Sequence, residues 1–331
     1  MKNPEISVIV PVYKVSDYIE RSAGSLFDQD FPYAEFIFVD DCTPDDSIEK
    51  LERLVEKRKL SDRVTIARHT VNRGLPSARN TGLDIATGKY VINIDSDDWV
   101  EPDMLEKMHA RITDGDHDIV WSDFYIEKSD HTRYSNQAGD EDPHACLRRI
   151  LRGQMGGYVW NKMIRRNLFT ENGVRFPDGI NMWEDVATIL RLFWHARSVA
   201  YLPPPFARYV NYNTNSYTKQ KNPVVHHNMQ QAVALLEDFL RANGAGDIAD
   251  NDLNYLKITV KNSLLSDGDP RDRRKHARQY PEATPFIMSY KTMHIAPRLG
   301  LWLASHGMMP VASGIYNMIP PLRRLIRGND Q

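Results

Sequence analysis

The fold is decided by the stretch ISVIVPVYKVSDYIERSAGSLFDQDFPYAEFIFVDD (6–41). Its first part, residues 6–13, is a short apolar run rich in β-branched residues, which favours a buried strand. Residues 17–27 follow with apolar side chains near helical spacing, and residues 36–41 form a second strand that ends in two carboxylates. The stretch therefore predicts one strand–helix–strand unit.

The same alternation continues through the first hundred residues. We expect Thr43 or Asp45 to cap the next helix. The later elements are predicted strands at 64–69 and 90–95, with a helix over about 76–86 between them. Strands that alternate with helices are typical of an α/β fold, in which helices flank a mainly parallel sheet.

Length and composition exclude several classes of protein. The chain has 331 residues, 41% of them hydrophobic and 26% charged, which predicts a large core rather than disorder or a multi-span membrane protein. A formal net charge of −2 gives no basic field for nucleic acid. Cys42 and Cys146 are too few for a disulfide framework, and the N-terminus has no signal-peptide cleavage site, so we expect a cytoplasmic location.

Acidic residues follow the predicted strands. They are Asp40, Asp41, Asp95, Asp97 and Asp98. Because open α/β sheets bind ligands at the carboxyl ends of their strands, we expect these side chains to line one cleft. Taken singly, each Asp is explained equally well by a preference for turns and helix N-termini.

The segment Asp95-Ser96-Asp97-Asp98 places three carboxylates within four residues. Their repulsion is costly unless a cation or strong hydrogen-bond donors offset it. Mn²⁺ or Mg²⁺ takes oxygen ligands, often one or two carboxylates together with phosphate groups. The segment therefore predicts a Mn²⁺ or Mg²⁺ site that also receives a diphosphate.

Five sequence blocks occur in order within the first third of the chain. They are SVIVPVY (7–13), VDDCTPDDS (39–47), NRGLPSARNTGL (72–83), ATGKYV (86–91) and DSDDW (95–99). Together they resemble family 2 glycosyltransferases of the GT-A fold, which has a Rossmann-like mixed sheet flanked by helices. A weaker resemblance continues through residues 160–176 and 182–186. Lys14 stands where the family usually has Asn, and Cys42 where it usually has Gly or Asn.

The resemblance implies which residues bind the nucleotide of a sugar donor. Pro11 and Tyr13 would border the base, Asp41 would accept a hydrogen bond from a uracil ring, and Arg79 would brace the same side. Tyr13 could instead belong to the core. Arg79 could donate to Asp41 or to phosphate, or form a structural salt bridge, and Ser77 could cap the helix that carries it.

The resemblance also assigns roles within the acidic segment. It implies that Asp95 contacts the ribose or supports the metal site, with Ser96 beside it in the donor site. Asp97 would coordinate the metal directly, and Asp95 is the second candidate ligand. Asp98 is expected to cap a helix that starts near Pro102.

Sugar transfer needs a group that takes the proton of the acceptor hydroxyl, and a carboxylate is the usual choice. Glu184 and Asp185 precede VATILRLFW (186–194), whose apolar spacing is helical, and a helix N-terminus favours carboxylates. The resemblance places the general base at Asp185, with Glu184 as the alternative. Simple helix capping is the other interpretation of Asp185.

The acceptor side is expected between residues 116 and 220, beginning with a strand at 118–126. Trp160, Lys162 and Trp183 would contact a sugar there, although both tryptophans could equally be core residues.

The segment RYVNYNTNSYTK (208–219) resembles the loop that closes over the donor in this family. In it, Arg208, Ser216 and Thr218 could contact diphosphate or acceptor.

We therefore expect two regions. Residues 1–220 form a GT-A catalytic domain, with a nucleotide-sugar-binding half at 1–115 and an acceptor half at 116–220, and residues 221–331 form a helical region. From Met293 to Arg327, apolar residues are mixed with arginines. This mixture fits peripheral contact with the inner face of the cell membrane, and equally helical packing or a homo-oligomer surface.

The sequence thus predicts an inverting glycosyltransferase of the hexosyltransferase type. It would move a sugar from a nucleotide-diphosphate donor, a UDP-sugar by preference, to a hydroxyl of a glycan or lipid-linked acceptor in cell-surface polysaccharide synthesis. The alternative is a catalytically silent sugar-nucleotide-binding or scaffold subunit of a polysaccharide assembly complex. A dehalogenase-type phosphatase is excluded by Trp99, and a nicotinamide enzyme by the absence of G-x-G-x-x-G after the first strand.

Overall fold

The computed structural model describes residues 4–213 and 223–328, and gives residues 319–328 by their backbone alone. Contacts within the chain divide it into two compact units. The first comprises Met1–Leu147 and Met155–Lys219, and the second comprises Arg148–Gln154 and Gln220–Gln331. No pattern in the sequence indicated that the short segment 148–154 belongs with the C-terminal region.

The first unit contains a sheet whose first half is parallel. Its strands are β1 (Ile6–Val12), β2 (Ala34–Asp40), β3 (Val64–Arg68) and β4 (Tyr90–Asn93). The helices between them are α1 (Ile19–Phe27), α2 (Ser47–Arg58) and α3 (Leu75–Ile85). β1 lies between β2 and β4, and β3 pairs with β2, all in parallel. The predicted strand–helix repeats are confirmed.

The rest of the sheet is mixed. Its strands are β5 (Trp99–Val100), β6 (Ile119–Glu127), β7 (Thr132–Ser135), β8 (Lys162–Arg165) and β9 (Val199–Val210). The helices in this stretch are α4 (Met104–Asp114), α5 (Pro143–Leu151), α6 (Arg166–Glu171) and α7 (Glu184–His195). The strand order is β3-β2-β1-β4-β8-β6-β9-β5, with β7 paired to β6. β8 runs antiparallel to β4 and β6, which makes the sheet mixed as predicted.

The core of the first unit forms around β1, whose seven residues are all buried. A strand between two parallel neighbours is covered on both faces, which explains its unbroken apolar run. α3 approaches this strand closely at Gly82, where a Cβ atom would lie 2.3 Å from Cγ2 of Ile9. Glycine at this position therefore allows α3 to pack onto the sheet.

Two predicted helix caps are wrong. Asp98 does not cap α4, because β5 intervenes; its Oδ1 accepts from the backbone N–H of Val210 at 2.7 Å. Ser77 lies inside α3, and its hydroxyl donates to Oδ1 of Asp178 at 2.8 Å. By contrast, Asp45, one of the two predicted caps of α2, accepts from the first backbone N–H of that helix at 3.3 Å.

The second unit is helical. Its helices are α8 (Pro223–Ala242), α9 (Gly246–Asn251), α10 (Leu253–Asp267), α11 (Arg273–Ala277), α12 (Ile295–Ser305) and α13 (Met309–Gly328). Ile258, Leu265 and Leu301 belong to its core. Arg152 donates through Nε to the buried Asp252 at 2.5 Å, which ties the segment 148–154 to this unit. Within the described ranges, no helix is long and apolar enough to cross a membrane.

Candidate active site

Arg79 joins the two acidic motifs of the sequence. Its side chain is 2% exposed, its Nη2 donates to Oδ1 of Asp95 at 2.8 Å, and its Nη1 donates to Oε1 of Glu184 at 2.7 Å. Burial favours the neutral form, but Asp95, Glu184 and Asp185 outweigh it and raise the pKa of Arg79. Arg79 therefore forms the structural salt bridge, and Asp41 is not its partner. One buried cation brings the end of β4 and the start of α7 to one site.

The acidic segment after β4 is tightly packed. Asp97 is half-buried, and its Oδ2 accepts from Nδ2 of Asn213 at 2.8 Å. Burial and the neighbouring Asp95 raise the pKa of Asp97. Burial, Asp97 and Asp95 raise the pKa of the fully buried Asp98 further. Ser96 lies between Asp95 and Asp97 in the sequence, and its side chain is buried.

This segment fits a divalent cation. Oδ2 of Asp98 is buried and has no hydrogen-bond partner among the residues that the structure describes. A cation relieves both this unpaired oxygen and the repulsion among the three carboxylates. No set of three or more His, Cys, Asp or Glu side chains in the described parts of the chain forms a complete metal cage. Mg²⁺ and Mn²⁺ commonly use one or two carboxylates together with phosphate oxygens. Asp97 as first ligand and Asp95 as second ligand therefore suit an ion that binds together with a diphosphate.

Asp41 follows β2, and both of its carboxylate oxygens take part in hydrogen bonds. Its Oδ1 contacts Nδ1 of His69 at 2.7 Å and accepts from the backbone N–H of Arg73 at 2.8 Å. Its Oδ2 accepts from the backbone N–H of Gly74 at 2.8 Å. A carboxylate has about four lone-pair sites, so these bonds leave one at Oδ2. Nε2 of His69 in turn contacts the hydroxyl of Thr81 at 2.9 Å. Sequence reasoning missed His69, whose only signal was its position after the third strand.

Tyr13 and Pro11 lie at the end of β1, beside the end of β2. Pro11 is a buried residue of the strand, and it pairs in register with Val39 of β2. Tyr13 follows the strand and is 41% exposed. The alternative that Tyr13 belongs to the core is therefore wrong, and its ring is accessible to a planar ligand.

Three residues around the site have a left-handed backbone. Their φ angles are 55° at Lys14, 58° at Cys42 and 68° at Trp183. This conformation suits Gly and Asn and costs other residues about 1–2 kcal/mol. The two departures from the family pattern, Lys14 and Cys42, thus fall where the backbone favours the residues that the family usually has. The half-buried Trp183 places similar strain directly before α7.

The two carboxylates at the start of α7 have different surroundings. Glu184 is buried on Arg79, whereas Asp185 is half-buried and its Oδ1 accepts from the backbone N–H of Val186 at 2.7 Å. Burial and Asp185 raise the pKa of Glu184, and Arg79 lowers it in part. Burial also raises the pKa of Asp185, while Arg79 and Lys162 lower it. Glu184 is thus committed to the salt bridge, and Asp185 is the more accessible carboxylate.

Trp160 lies in an aromatic stack. The buried Trp160 stacks on Tyr158 and Tyr209, with ring centroids 5.0 Å and 5.8 Å away, and meets the edge of Phe124 at 4.6 Å. Trp160 is therefore a core residue, and Tyr158 presents the exposed ring. Burial raises the pKa of Tyr158, and the charge of Asp185 adds to the shift. Tyr158 was missed in the sequence because it lies outside the recognised blocks.

Lys162 holds the loop that contains Gly156 and Tyr158. It is fully buried, and its Nζ donates to the carbonyl oxygens of Gly156 at 2.9 Å and Tyr158 at 2.6 Å and to Oδ1 of Asn161 at 2.8 Å. Burial lowers its pKa to about 7, against the opposing charge of Asp185. Three acceptors use the three donors of an ammonium group, so Lys162 fixes the loop instead of facing a sugar.

Arg208 is a structural residue of β9. It pairs with Glu101 at 2.5 Å and Glu127 at 2.7 Å, and its guanidinium lies 4.5 Å from the ring centroids of both Trp99 and Tyr125. These contacts account for its charge without a ligand. The other two predicted contacts of this segment, Ser216 and Thr218, lie outside the described residues.

Comparisons with known proteins point to one family. Residues 7–177 match the model of glycosyl transferase family 2. The chain is 30% identical over 314 residues to the uncharacterized glycosyltransferase EpsJ of Bacillus subtilis, covering 89% of this chain and 86% of EpsJ. A crystal structure of S. aureus TarS in complex with UDP shares the fold with a TM-score of 0.69 at 18% identity, covering 96% of this chain and 91% of that one. The mannosyltransferase PcManGT of Pyrobaculum calidifontis, solved with GDP-Man and Mn²⁺, has a TM-score of 0.53 at 18% identity and covers 96% of this chain and 88% of its own.

The structural likenesses confirm the GT-A fold, and the sequence matches confirm a transferase. The blocks that match the family also carry Asp41, Arg79, Asp95 and Asp97 of the candidate site. This chain belongs to glycosyl transferase family 2.

Proposed function

We propose that this glycosyltransferase moves a sugar from a UDP-sugar to a hydroxyl group of a glycan or lipid-linked acceptor, with inversion, in cell-surface polysaccharide synthesis. The observation that carries the proposal is the Arg79 bridge. It connects Asp95 of the acidic segment to Glu184, which directly precedes Asp185 at the start of α7. This contact supports a leaving-group site and a general base within one centre.

The surroundings of Asp41 support a uracil-containing donor. Three donors surround its carboxylate, and the remaining lone pair at Oδ2 can accept one more hydrogen bond. Uracil and guanine offer a ring N–H to such an acceptor, whereas cytosine and adenine have an unprotonated nitrogen at that ring position and can donate only through an exocyclic amino group. The exposed ring of Tyr13 can stack on the base. TarS has been solved with UDP-GlcNAc and PcManGT with GDP-Man. These donors carry uracil and guanine, the two bases that offer a ring N–H.

The acidic segment supports metal assistance. Asp97, with Asp95 as second ligand, would hold Mn²⁺ or Mg²⁺, and a bound ion neutralises charge on a diphosphate leaving group. Arg79 fixes one oxygen of Asp95 and so limits the orientations that this carboxylate can adopt. PcManGT was solved with Mn²⁺.

Asp185 is the proposed general base. The acceptor oxygen bonds to the anomeric carbon while the bond from that carbon to the diphosphate breaks, and the hydroxyl proton passes to Asp185. A single displacement of this kind inverts the anomeric centre, and it needs no protein nucleophile. The exposed ring of Tyr158 near Asp185 offers an apolar face on which an acceptor sugar can pack.

Release of nucleoside diphosphate tests the proposal. UDP-, GDP-, CDP- and ADP-sugars are incubated with the protein in Mn²⁺, in Mg²⁺ and in EDTA. We expect release from UDP-sugars, less from GDP-sugars, least from CDP- and ADP-sugars, and a strong loss in EDTA. Equal release from all four donors contradicts the role of Asp41, and undiminished release in EDTA contradicts the metal. Tight UDP binding without any release favours the silent scaffold subunit.

A further inference from the structure

Exposed apolar side chains concentrate in the last described part of the second unit. Across the described residues, thirteen large hydrophobic side chains are exposed, and six of them lie between residues 288 and 318. They are Met288, Ile295, Leu299, Met308, Val311 and Met318. Single exposed apolar residues are normal on a protein surface, but a cluster marks an interaction site.

The cluster follows helical spacing on α12 and α13. Ile295 and Leu299 occupy positions i and i+4 of α12, and Val311 and Met318 occupy positions i and i+7 of α13. Other residues of the same helices fill the core of the unit, such as Leu301, Ala304, Ala312 and Tyr316. Each helix therefore carries one apolar side for the core and a second that the core does not use.

The same region has an unusual charge. Residues 283–328 contain five Lys or Arg residues and no Asp or Glu, in a chain whose formal net charge is −2. The basic residues are Lys291, Arg298, Arg323, Arg324 and Arg327. An exposed apolar stripe beside unopposed cations is typical of helices that lie in the interface of an anionic bilayer.

We propose that α12 and α13 form a membrane-docking hairpin, which binds the surface of a bilayer that contains anionic lipid. Apolar side chains enter the boundary between headgroups and acyl chains, and the positive charge of the region attracts the anionic lipid. A second copy of the chain suits this surface less well, because residues 283–328 contain no Asp or Glu to pair with the cations of another copy. The proposal goes beyond sugar transfer and does not depend on it.

Vesicle flotation of the full chain tests the hairpin. The probes are vesicles of phosphatidylcholine alone and of phosphatidylcholine mixed with phosphatidylglycerol. We expect binding to the mixed vesicles only, and weaker binding as salt rises. Absence of binding to mixed vesicles, or equal binding to both kinds, overturns the proposal.

Matched variants locate the contact. Ile295→Glu with Leu299→Glu should weaken binding at least about tenfold, and Arg298→Glu should weaken it about fivefold. Val71→Glu is the control, because Val71 is 61% exposed and Ile295 is 60% exposed. Circular dichroism checks that each variant is folded, and the salt dependence of the unmodified chain needs no variant. Unchanged binding by the helix variants, or binding lost equally in Val71→Glu, overturns the proposal. The proposal is also overturned if light scattering shows that the unmodified chain is a dimer and that the helix variants are monomers which still bind vesicles.

Discussion

Nη1 of Arg79 lies 2.7 Å from Oε1 of Glu184, although 105 residues separate the two in the chain. The other arm of the same guanidinium holds Asp95. A fully buried charge of this kind is tolerated because both of its arms are paired. The contact also commits Glu184 and leaves the half-buried Asp185 as the more accessible carboxylate.

Replacement of this cation should affect stability and pH dependence together. Arg79→Gln leaves Glu184 buried without its partner, and we expect a loss of about 3–5 kcal/mol in the free energy of unfolding. Arg175→Gln is the control, because the Arg175 pair with Asp84 is largely exposed and should contribute less than about 1 kcal/mol. Urea unfolding measures both. Equal losses in the two variants would contradict the buried bridge.

The activity should fall on the acid side at a higher pH than an ordinary aspartate would give. Burial raises the pKa of Asp185, so the carboxylate becomes protonated, and unable to accept a proton, at a higher pH than the usual value of about 4. Arg79 and Lys162 lower this pKa, whereas Asp95 raises it. The acid limb of kcat/KM should therefore move to still higher pH in Arg79→Gln. A limb that stays in place or moves to lower pH would count against Asp185 as the base.

Asp41 should control affinity for the nucleotide. Asp41→Asn replaces one acceptor oxygen by a donor; with the amide nitrogen in place of Oδ2, it disturbs the bond from Gly74 and presents an N–H to the base. We expect KM for the UDP-sugar to rise about 10- to 100-fold, from the loss of about 1–3 kcal/mol. Asp40→Asn is the matched control at the end of the same strand, where Asp40 accepts from the backbone N–H of Thr43. Equal effects from both substitutions would remove the special role of Asp41.

The aromatic stack separates a core residue from an exposed one. Trp160→Ala empties a buried site and should cost about 3–5 kcal/mol in the free energy of unfolding. Tyr158→Ala should cost far less and should instead raise KM for the acceptor, because Tyr158 carries the exposed ring. Denaturation and acceptor kinetics distinguish the two. A large loss of stability in Tyr158→Ala, with an unchanged KM for the acceptor, would show that Tyr158 is a core residue and does not contact the acceptor.

Left-handed backbone at two loop positions offers a route to stabilisation. Lys14→Asn and Cys42→Asn should each stabilise the chain by up to about 1 kcal/mol, since Asn tolerates the φ angles of 55° and 58°. Lys57→Asn, in the helix α2, is the control. It should destabilise the chain by a few tenths of a kcal/mol, because Asn has a lower helix propensity than Lys. Melting temperatures test the sign of each change.

Local patterns predicted much of the fold. Strand and helix positions up to β4 follow from spacing within the chain, and the carboxylates at strand ends followed from the general architecture of parallel sheets. Contacts that depend on the mixed half of the sheet could not be predicted. Asp98 bonds to the backbone of Val210 because β5 pairs with β9, which no local pattern encodes.

Side-chain partners across long separations were equally hidden. Ser77 meets Asp178 and Arg79 meets Glu184 because α3 and the start of α7 come together, and the sequence offered nearer partners for both. His69 and Tyr158 carry no motif of their own. Their importance comes from what they touch, namely Asp41 and Trp160.

In the proposed reaction, Asp185 takes the acceptor proton in a site organised by Arg79. The test compares UDP release and UDP affinity for the unmodified chain, Asp185→Asn and Asp178→Asn. Asp178 is an exposed acidic residue that accepts a hydrogen bond from the hydroxyl of Ser77. We predict that Asp185→Asn loses at least about 100-fold in turnover with UDP affinity unchanged, while Asp178→Asn keeps most of its turnover. Full turnover by Asp185→Asn would contradict the account.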